Sequence, residues 1–394
     1  MAALRTLSAE ARRILRIAAE NRQAGSAAFA GLSRERQVAL VCEAPFARRA
    51  ELLLLSEEPE ALIPALPPAD LCYTATAVGL EDAGWIIEHA TESQIVACID
   101  LDVWRSHAPD RARFGRWLKT LVEAGDEALL RACRALDFEL FVLHLKSRIH
   151  VSLKPSDDDW SPPVGALTLD GQFYLKPLGS DDDLEDVVTL LRVLFQNDYW
   201  VYFRLLQGVM WELEVETEEW ALRWRSGRLQ DLGFPLWEEA MQIYGYLRPE
   251  LRCQVPDQTQ TFPLGEWPLP VWMPNVPADA SSEHSLLRAL AALPERERRP
   301  YLFAFLALAN KIAVTDRLPL GDSESIPAAI EKAAHVGSQG LDHLTRESGL
   351  APEELLRRVP LERLFRVGFN EDDTLTLPPP SAEAGPSEVP ETEC

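Results

Sequence analysis

The chain has 394 residues, enough for two or three domains, and hydrophobic residues make up 47% of it, so it can bury a substantial core. Its formal net charge is −23, which repels a phosphate backbone and argues against general nucleic-acid binding. The longest apolar run starts at Tyr301 and is about half as long as a membrane-spanning helix requires, so no membrane span is predicted.

The six cysteines contain no closely spaced pair of the C-x-x-C type. Such scattered cysteines are typical of a reducing compartment, where a free cysteine packs as a small buried hydrophobic residue. The first residues show no long apolar stretch of the secretory type. We therefore expect a soluble cytoplasmic protein whose cysteines are buried and unreactive.

Residues 1–147 are predicted to form an N-terminal helical domain. Ser8 is in position to cap the first helix, Thr91 and Gln94 have the spacing of a capping box, and Pro67 and Pro68 fit the first turn of another helix. The apolar residues recur at helical spacing throughout this region. The pattern predicts consecutive antiparallel helix pairs, similar to those of helical-repeat proteins.

Residues 148–252 are predicted to combine a small β insertion with long aromatic helices. Alternating apolar residues flank Asp170-Gly171, a strong signal for a β-hairpin, and a further candidate strand begins near Arg148. Two or three strands are therefore expected. The residues from Asp198 to Trp224 predict one unusually long helix. The fold class is mainly α, with stacked helix pairs and a β-hairpin or three-stranded insertion.

The C-terminal part divides by composition. Residues 253–283 hold six prolines and are expected to be an extended segment, and residues 284–372 are predicted to form a C-terminal helical region. Residues 373–394 are rich in proline and acids, which predicts a disordered acidic tail.

Several predicted helices end at a glycine that is followed immediately by leucine or phenylalanine. This order is typical of the Schellman motif, in which glycine adopts a left-handed conformation after the helix C-cap. Pro235 and Pro352 follow two of these glycines and fit the first turn of the next helix. The glycines are Gly79, Gly233, Gly349 and Gly368.

The candidate ligand-binding residues are Trp224, Arg225 and Arg228. Two arginines beside a tryptophan can grip a carboxylate or phosphate in a bidentate manner. The structural alternative is that both arginines only offset the negative end of a helix dipole, where their replacement costs little stability. The structural alternative is favoured because acidic residues outnumber the arginines around them.

No catalytic residue, metal ligand or cofactor is predicted. Asp100 and Asp102 could bind a metal ion, but residues two apart on a helix do not share a face, so a solvated helix end is favoured. The acidic clusters at residues 156–160 and 180–186 lack a complete calcium-binding loop, and Ser180 with the acids after it fits a helix N-terminus.

Four stretches together resemble an uncharacterised bacterial family, the domain-of-unknown-function family numbered 6178. The resemblance covers roughly residues 45–370 and implies a helical cytoplasmic protein with no established activity, so it assigns no functional residues. The stretches are CIDLDVW (98–104), WRSGRLQDLGFPLWEEAMQIY (224–244), LALANKIAVTD (306–316) and LERLFRVGF (361–369).

The sequence favours a non-enzymatic interaction or regulatory protein on a helical scaffold, with a protein partner. The alternative is an enzyme or a small-anion-binding protein with a cleft near Trp224, Arg225 and Arg228.

Overall fold

The computed structural model describes residues 8–105, 107–156, 160–179, 184–260, 282–322 and 324–371. Most of these residues are helical, which confirms the mainly-α fold class. The acidic tail, most of the proline-rich segment and the expected cap at Ser180 lie outside the described residues. Among the residues described, no helix is both long enough and apolar enough to cross a membrane.

Within residues 8–105, eight α-helices precede the first strand. Ser8 caps the first, since its Oγ accepts a hydrogen bond from the Ala11 amide at 3.2 Å. Thr91 and Gln94 form the predicted capping box at the start of the eighth. The helices are α1 (Ala9–Glu20), α2 (Arg22–Ala30), α3 (Arg34–Glu43), α4 (Phe46–Leu53), α5 (Pro59–Leu62), α6 (Pro68–Val78), α7 (Gly84–Glu88) and α8 (Glu92–Asp102).

Two small antiparallel sheets follow. The first pairs β1 (Trp104–Arg105) with β2 (Ala108–Pro109), which the sequence did not predict. Three helices come next: α9 (Arg111–Glu123), α10 (Asp126–Ala135) and α11 (Phe138–Arg148). The second sheet pairs β3 (Ile149–Leu153) with β4 (Phe173–Pro177).

The turn at Asp170-Gly171 forms, but it does not join two full strands. Gly171 has a φ of +71°, and Asp170 Oδ1 accepts hydrogen bonds from the amides of Gln172 and Phe173. The arm before the turn makes only a single bridge, between Leu167 and Leu175. The principal partner of β4 is β3, because both bury alternate apolar residues against α13 (Tyr199–Trp211) and its neighbours.

The long aromatic helix expected from Asp198 to Trp224 is broken, which corrects that prediction. Glu212 and Leu213 are extended, with ψ values of 143° and 130°, and they separate α13 from α14 (Glu214–Asp231). Both helices carry aromatic residues, so hydrophobic periodicity alone gave no sign of the break. Before α13 lies α12 (Glu185–Asn197), and after α14 lie the short α15 (Trp237–Ala240) and α16 (Pro249–Arg252).

The C-terminal helices pack with their backbones in close contact. They are α17 (Ser285–Ala292), α18 (Glu295–Thr315), α19 (Ser325–Ser348), α20 (Pro352–Arg358) and α21 (Leu361–Glu371). A Cβ on Gly340 of α19 would lie 1.9 Å from the Leu364 carbonyl oxygen, and one on Gly368 of α21 would lie 2.0 Å from that of Val336. The two helices can approach this closely only because these positions carry no side chain.

Two of the four predicted glycine joints are confirmed. Gly233 and Gly349 follow a helix and have φ values of 84° and 70°. Gly79 also ends a helix with a positive φ of 101°, but its ψ of 132° is extended, so it is not the left-handed joint that the sequence predicted. At Gly233 the Phe234 amide bonds back to the Leu229 carbonyl, which completes the Schellman pattern. The prediction for Gly368 is wrong, since this residue lies inside α21 at the contact with α19. Pro352 opens α20 as expected, whereas Pro235 lies before the cap of α15.

One hydrophobic cluster includes residues from the N-terminal helices, the β insertion and the C-terminal helices, from Ala11 to Val367. The described parts of the chain therefore share a continuous core. The domain boundaries at 147, 252, 283 and 372 stay predictions.

We expect Gly340→Ala to lower the free energy of unfolding by about 3 kcal/mol, because the added methyl group meets the α21 backbone, which cannot yield as a side chain can. Gly227→Ala is the matched control. Gly227 is exposed on α14 with open space around its Cα, so alanine there should stabilise the helix by up to about 1 kcal/mol. Urea denaturation measures both values, and equal effects would contradict the close α19–α21 contact.

Candidate anion-binding cleft

Arg228 on α14 joins three helices through two carboxylates. Its Nε and Nη2 donate to Asp100 Oδ2 and Oδ1 at 2.6 and 2.8 Å, and Nη1 and Nη2 donate to Asp137 Oδ1 and Oδ2 at 2.9 and 2.6 Å. Asp100 lies on α8, and Asp137 is the N-cap residue of α11. Burial opposes charge on the guanidinium, but these two acids raise the pKa of Arg228 above its ordinary value. Arg228 is thus a charged clamp between helices.

The acids of CIDLDVW are not solvated, which corrects the expectation of an exposed helix end. Asp100 is 1% exposed, and this burial raises the pKa of its carboxyl group, although the hydrogen bonds from Arg228 oppose the shift. Asp102 accepts hydrogen bonds from Arg113 Nε at 2.6 Å and Trp117 Nε1 at 2.7 Å. The two acids do point to different helices, as their spacing of two predicts.

Arg225 is buried without a carboxylate bound to it. Its Nε donates to the Asp100 carbonyl oxygen at 2.8 Å, and its guanidinium carbon lies 4.9 Å from the centre of the Trp104 ring. The side chain is 9% exposed, and burial lowers its pKa to about 10, although the nearby Asp100 charge opposes this shift. The cation is desolvated, and its direct hydrogen bond goes only to a neutral carbonyl.

Trp224 lies on the other side of α14. It is 50% exposed and stacks on Trp220, with ring centres 6.2 Å apart. The three predicted ligand-binding residues therefore do not form one site. Arg225 lines a cleft, Arg228 clamps helices behind it, and Trp224 faces outward. Ligand binding by any of them stays a prediction.

The cleft has a volume of about 730 Å³ and lies between α14 and the C-terminal end of α18. The end of α8, the β1–β2 hairpin, the start of α9 and the connection from α14 to α15 complete its walls. The lining residues are Leu101, Asp102, Trp104, Arg105, His107, Asp110, Arg113, Arg116, Leu222, Arg225, Ser226, Leu229, Phe234, Pro235, Leu236, Trp237, Glu238, Ala313, Val314, Arg317, Leu318, Pro319 and Leu320.

Two of the acids in the lining are already neutralised. Asp102 pairs with Arg113, and Asp110 pairs with Arg105 at 2.6 Å. Burial disfavours the charge of Asp110, but the Arg113 amide and the Arg105 guanidinium together hold its pKa below the ordinary value. Five arginines and three acids thus give the lining a formal charge of +2 in a chain of net charge −23. Among the residues described, the lining arginines without an ion pair are Arg116, Arg225 and Arg317.

Two tryptophans of the lining have indole N–H groups without an acceptor. Trp104 Nε1 and Trp237 Nε1 are both buried, and neither makes a hydrogen bond within the described part of the protein. A buried donor without a partner costs free energy of about 1–3 kcal/mol, so most proteins satisfy such groups. Both indole nitrogen atoms are closed to solvent, so they are not among the groups that the cleft presents to a ligand.

Arg317 adopts a backbone conformation that usually requires glycine. It follows the end of α18 with a φ of +54°, and the Leu318 amide bonds back to the Ala313 carbonyl, as the Phe234 amide does to the Leu229 carbonyl at Gly233. Its guanidinium carbon lies 5.5 Å from the centre of the Trp237 ring. Where other helices of this chain use glycine, this position therefore presents a cationic side chain to the cleft.

The expectation of uniformly buried cysteines holds only in part. Cys42, Cys72 and Cys98 are buried, and burial raises the pKa of the half-buried Cys133 to about 12. Cys253, however, is exposed, with its Sγ 3.7 Å from His343 Nε2.

The sequence identified Arg225 but missed Arg116, Arg317, Trp104 and Trp237. Three of the four stretches that carry the family resemblance supply residues of the lining: 98–104, 224–244 and 306–316. The stretches of family resemblance therefore pointed to regions of the chain that contribute to the cleft. Only the fold shows that these regions lie side by side. The unusual backbone of Arg317 has no signature in the sequence.

The fold and the cleft define a helical protein with an arginine-lined pocket at the meeting of its N-terminal and C-terminal helices. A model for a family of unknown function, DUF6178, matches residues 26–377, so the chain belongs to this family. The match extends the expected range of 45–370 at both ends. Comparisons with curated proteins and with solved structures give no match.

We expect Arg228→Gln to lower the free energy of unfolding by about 3–5 kcal/mol, because it leaves the buried Asp100 and its neighbour Asp137 without their cation. This loss of stability is several times larger than the loss expected if Arg228 only offset the negative end of a helix dipole. Arg223→Gln on the same helix is the control, since Arg223 is exposed and should change stability by less than about 0.5 kcal/mol. Chemical denaturation that gave similar small losses for both variants would contradict the clamp.

Proposed function

We propose that the protein binds a small oxyanion, a phosphate or carboxylate compound, in the cleft lined by Arg225 and Arg317. One observation carries this proposal: the cleft gathers three arginines that form no ion pair within the described protein. Arg225 is buried beside a neutral carbonyl, and Arg116 and Arg317 line the same cleft. An anion with several oxygen atoms would supply acceptors for these guanidinium groups.

Arginine is suited to this role because its planar guanidinium binds carboxylate and phosphate groups through paired hydrogen bonds. Among the described residues, the buried Arg225 makes a hydrogen bond only through its Nε, which leaves its terminal nitrogen atoms for a ligand. Partial burial strengthens such a contact, because the surrounding medium screens it less than water does. We therefore place the negative group of the ligand against Arg225.

The strained backbone of Arg317 is a second argument for the same site. A non-glycine residue in the left-handed region raises the backbone energy by roughly 1–2 kcal/mol, and such strain is concentrated at functional sites. Gly233 and Gly349 avoid this cost at similar helix ends of the same chain. The arginine at position 317 is therefore better explained by what its side chain binds than by the turn that it occupies.

The dimensions of the cleft fit a metabolite rather than a single inorganic ion. Pockets for small molecules commonly measure about 300–1,000 Å³, and the cleft volume of about 730 Å³ lies within that range. Trp104, Phe234 and Trp237 provide apolar walls for the uncharged part of such a ligand. We infer binding rather than a serine-dependent reaction, because the hydroxyl of Ser226 donates to the Leu222 carbonyl at 2.8 Å.

We expect inorganic pyrophosphate or citrate to raise the unfolding temperature of the protein by at least about 2 °C, compared with sodium chloride of equal ionic strength. Arg317→Gly should abolish this rise. Without anions, this variant should be about as stable as the wild type. Glycine relieves the left-handed strain at position 317, and this gain offsets the loss of the arginine contact with Trp237. Arg223→Gln is the matched arginine control and should keep the full response. Equal responses of wild type and Arg317→Gly would contradict the anion site.

A second candidate function rests on a different face. Large apolar side chains of α13 and α14 are exposed in what we term the α13–α14 surface: Tyr199, Trp200, Trp211, Leu213, Val215, Trp220 and Trp224. Exposed aromatic residues in such number mark interaction sites more often than ordinary solvent-facing surface. We propose that this surface binds a protein partner, in keeping with a regulatory role in the cytoplasm, and the free thiols fit a reducing compartment.

Charge indicates the chemistry of that partner. Glutamates 212, 216 and 219 are exposed and have no ion pair among the described residues, whereas Glu214 and Glu218 pair with Arg111. The surface is therefore both apolar and acidic. The complementary partner is an amphipathic helix with lysine or arginine beside its apolar face. Such a helix can bury its apolar side against the tryptophans while its cations meet the glutamates.

We expect a synthetic helical peptide of leucine and lysine to bind the protein and to shift its tryptophan fluorescence. The double variant Trp220→Gln, Trp224→Gln should weaken binding about tenfold or more, as loss of interface tryptophans commonly does. Tyr246→Gln is the control, because Tyr246 is 71% exposed but lies outside the α13–α14 surface. Equal binding of a leucine–glutamate peptide, or no effect of the double variant, would contradict a surface for basic helices.

A further inference from the structure

We infer that the junction of α17 and α19 binds one divalent transition-metal ion through Glu283, His284 and Glu331. Each of these residues offers a ligand atom, and the three atoms all lie within 4.8 Å of one another. None of these residues lines the arginine cleft. The cluster is therefore a separate site, and it does not depend on the function proposed above.

His284 is the fixed member of the cluster. It is the N-cap residue of α17 and is 7% exposed, and its Nε2 lies 2.9 Å from Glu331 Oε1. The Ser282 hydroxyl accepts a hydrogen bond from the His284 amide at 3.2 Å, which holds the chain where it enters the helix. The ring is therefore positioned by the fold and presents a nitrogen atom to the carboxylates.

The two carboxylates converge without a lysine or arginine between them. Within the described residues, the ion pair of Glu331 is with His284, whereas its neighbour Lys332 pairs with Asp316 at 2.6 Å. Arg288 lies close by, but it donates to the backbone carbonyl groups of Ser282 and Glu283. Two like charges at this separation repel each other, and a divalent cation would turn the repulsion into attraction.

His335 is in position to contribute a fourth ligand. It follows Glu331 by four residues on α19, so the two side chains lie on the same face of the helix. Its ring centre lies 6.3 Å from that of His284, and its side chain is exposed and can rotate. Two imidazole nitrogens and two carboxylate oxygens form a ligand set suited to zinc and neighbouring first-row metals.

The consequence is a metal clip between two helices. Glu283 and His284 begin α17, whereas Glu331 and His335 lie on α19, so one ion would fasten the start of one helix to the side of the other. An ion that binds the folded chain but not the unfolded chain raises stability in proportion to its saturation. The site is thus expected to stabilise the C-terminal helices.

The test uses the full-length chain carrying Cys253→Ser, which removes the exposed thiol as a competing zinc ligand. We expect isothermal titration with ZnCl₂ to show one ion bound per chain, and Co²⁺ to give the visible absorption of a coordinated ion. The unfolding temperature should rise with Zn²⁺ and return to its starting value after chelation. Glu283→Gln should weaken Zn²⁺ binding at least tenfold, and Glu331→Gln should weaken it further.

Glu347→Gln is the matched control, since Glu347 is an exposed acid on the same helix outside the cluster. It should keep wild-type binding, and His335→Ala should reduce it. If loss of the contact between Glu331 and the buried His284 prevents the Glu331 variant from folding, binding by the variant of the exposed Glu283 tests the site. Absence of Zn²⁺ binding by the parent chain would overturn the site. So would undiminished binding by Glu283→Gln, because the ion would then lie elsewhere.

Discussion

The buried ion pair network of Arg228 fixes the orientation of α14, and much of the molecule depends on that orientation. Two carboxylates from α8 and α11 hold one guanidinium through four hydrogen bonds. The helix can therefore neither rotate nor slide without exposing charges that have been removed from water. Arg225, three residues earlier, is consequently placed on the cleft side, whereas Trp220 and Trp224 face solvent.

This constraint explains how one helix serves two surfaces of opposite character. Inward-facing residues close to Arg228 contribute a cation to a pocket of about 730 Å³. Outward-facing residues such as Trp220 and Trp224 are apolar and exposed. A ligand in the cleft would contact Arg225 and the end of α18 together. Ligand binding would therefore bear on the position of α14, and through it on the α13–α14 surface, which gives a physical route from anion binding to partner binding.

The sequence predicted the parts of the fold that local chemistry determines. Ser8, the Thr91–Gln94 capping box and the glycine joints at Gly233 and Gly349 depend on residues only a few positions away, so their sequence patterns suffice. The prediction for Gly368 failed because the sequence shows a glycine followed by an apolar residue. It does not show that a neighbouring helix packs so closely that this position must be glycine. The break at Glu212 was hidden because apolar residues continue across it.

The site was less predictable, since its properties come from residues far apart in the chain. Asp100 looked like the end of a solvated helix because nothing local reveals Arg228, which lies 128 residues later. Arg225 stands out because it is buried against Trp104, and Arg317 stands out because its backbone adopts a conformation that glycine usually adopts. Neither property can be read from the sequence. The stretches of family resemblance marked the correct regions, but they did not show that three of them meet.

The most direct measurement of the central claim is anomalous X-ray diffraction from crystals soaked in sodium tungstate, a heavy tetrahedral oxyanion. We predict an anomalous peak inside the cleft, with tungstate oxygen atoms within hydrogen-bonding distance of the Arg225 guanidinium and with Arg317 on the opposite wall. Crystals of Arg317→Gly should lose this peak while they keep any peaks elsewhere. Tungstate bound only at exposed arginines outside the cleft, or no bound tungstate at all, would contradict an oxyanion site at Arg225.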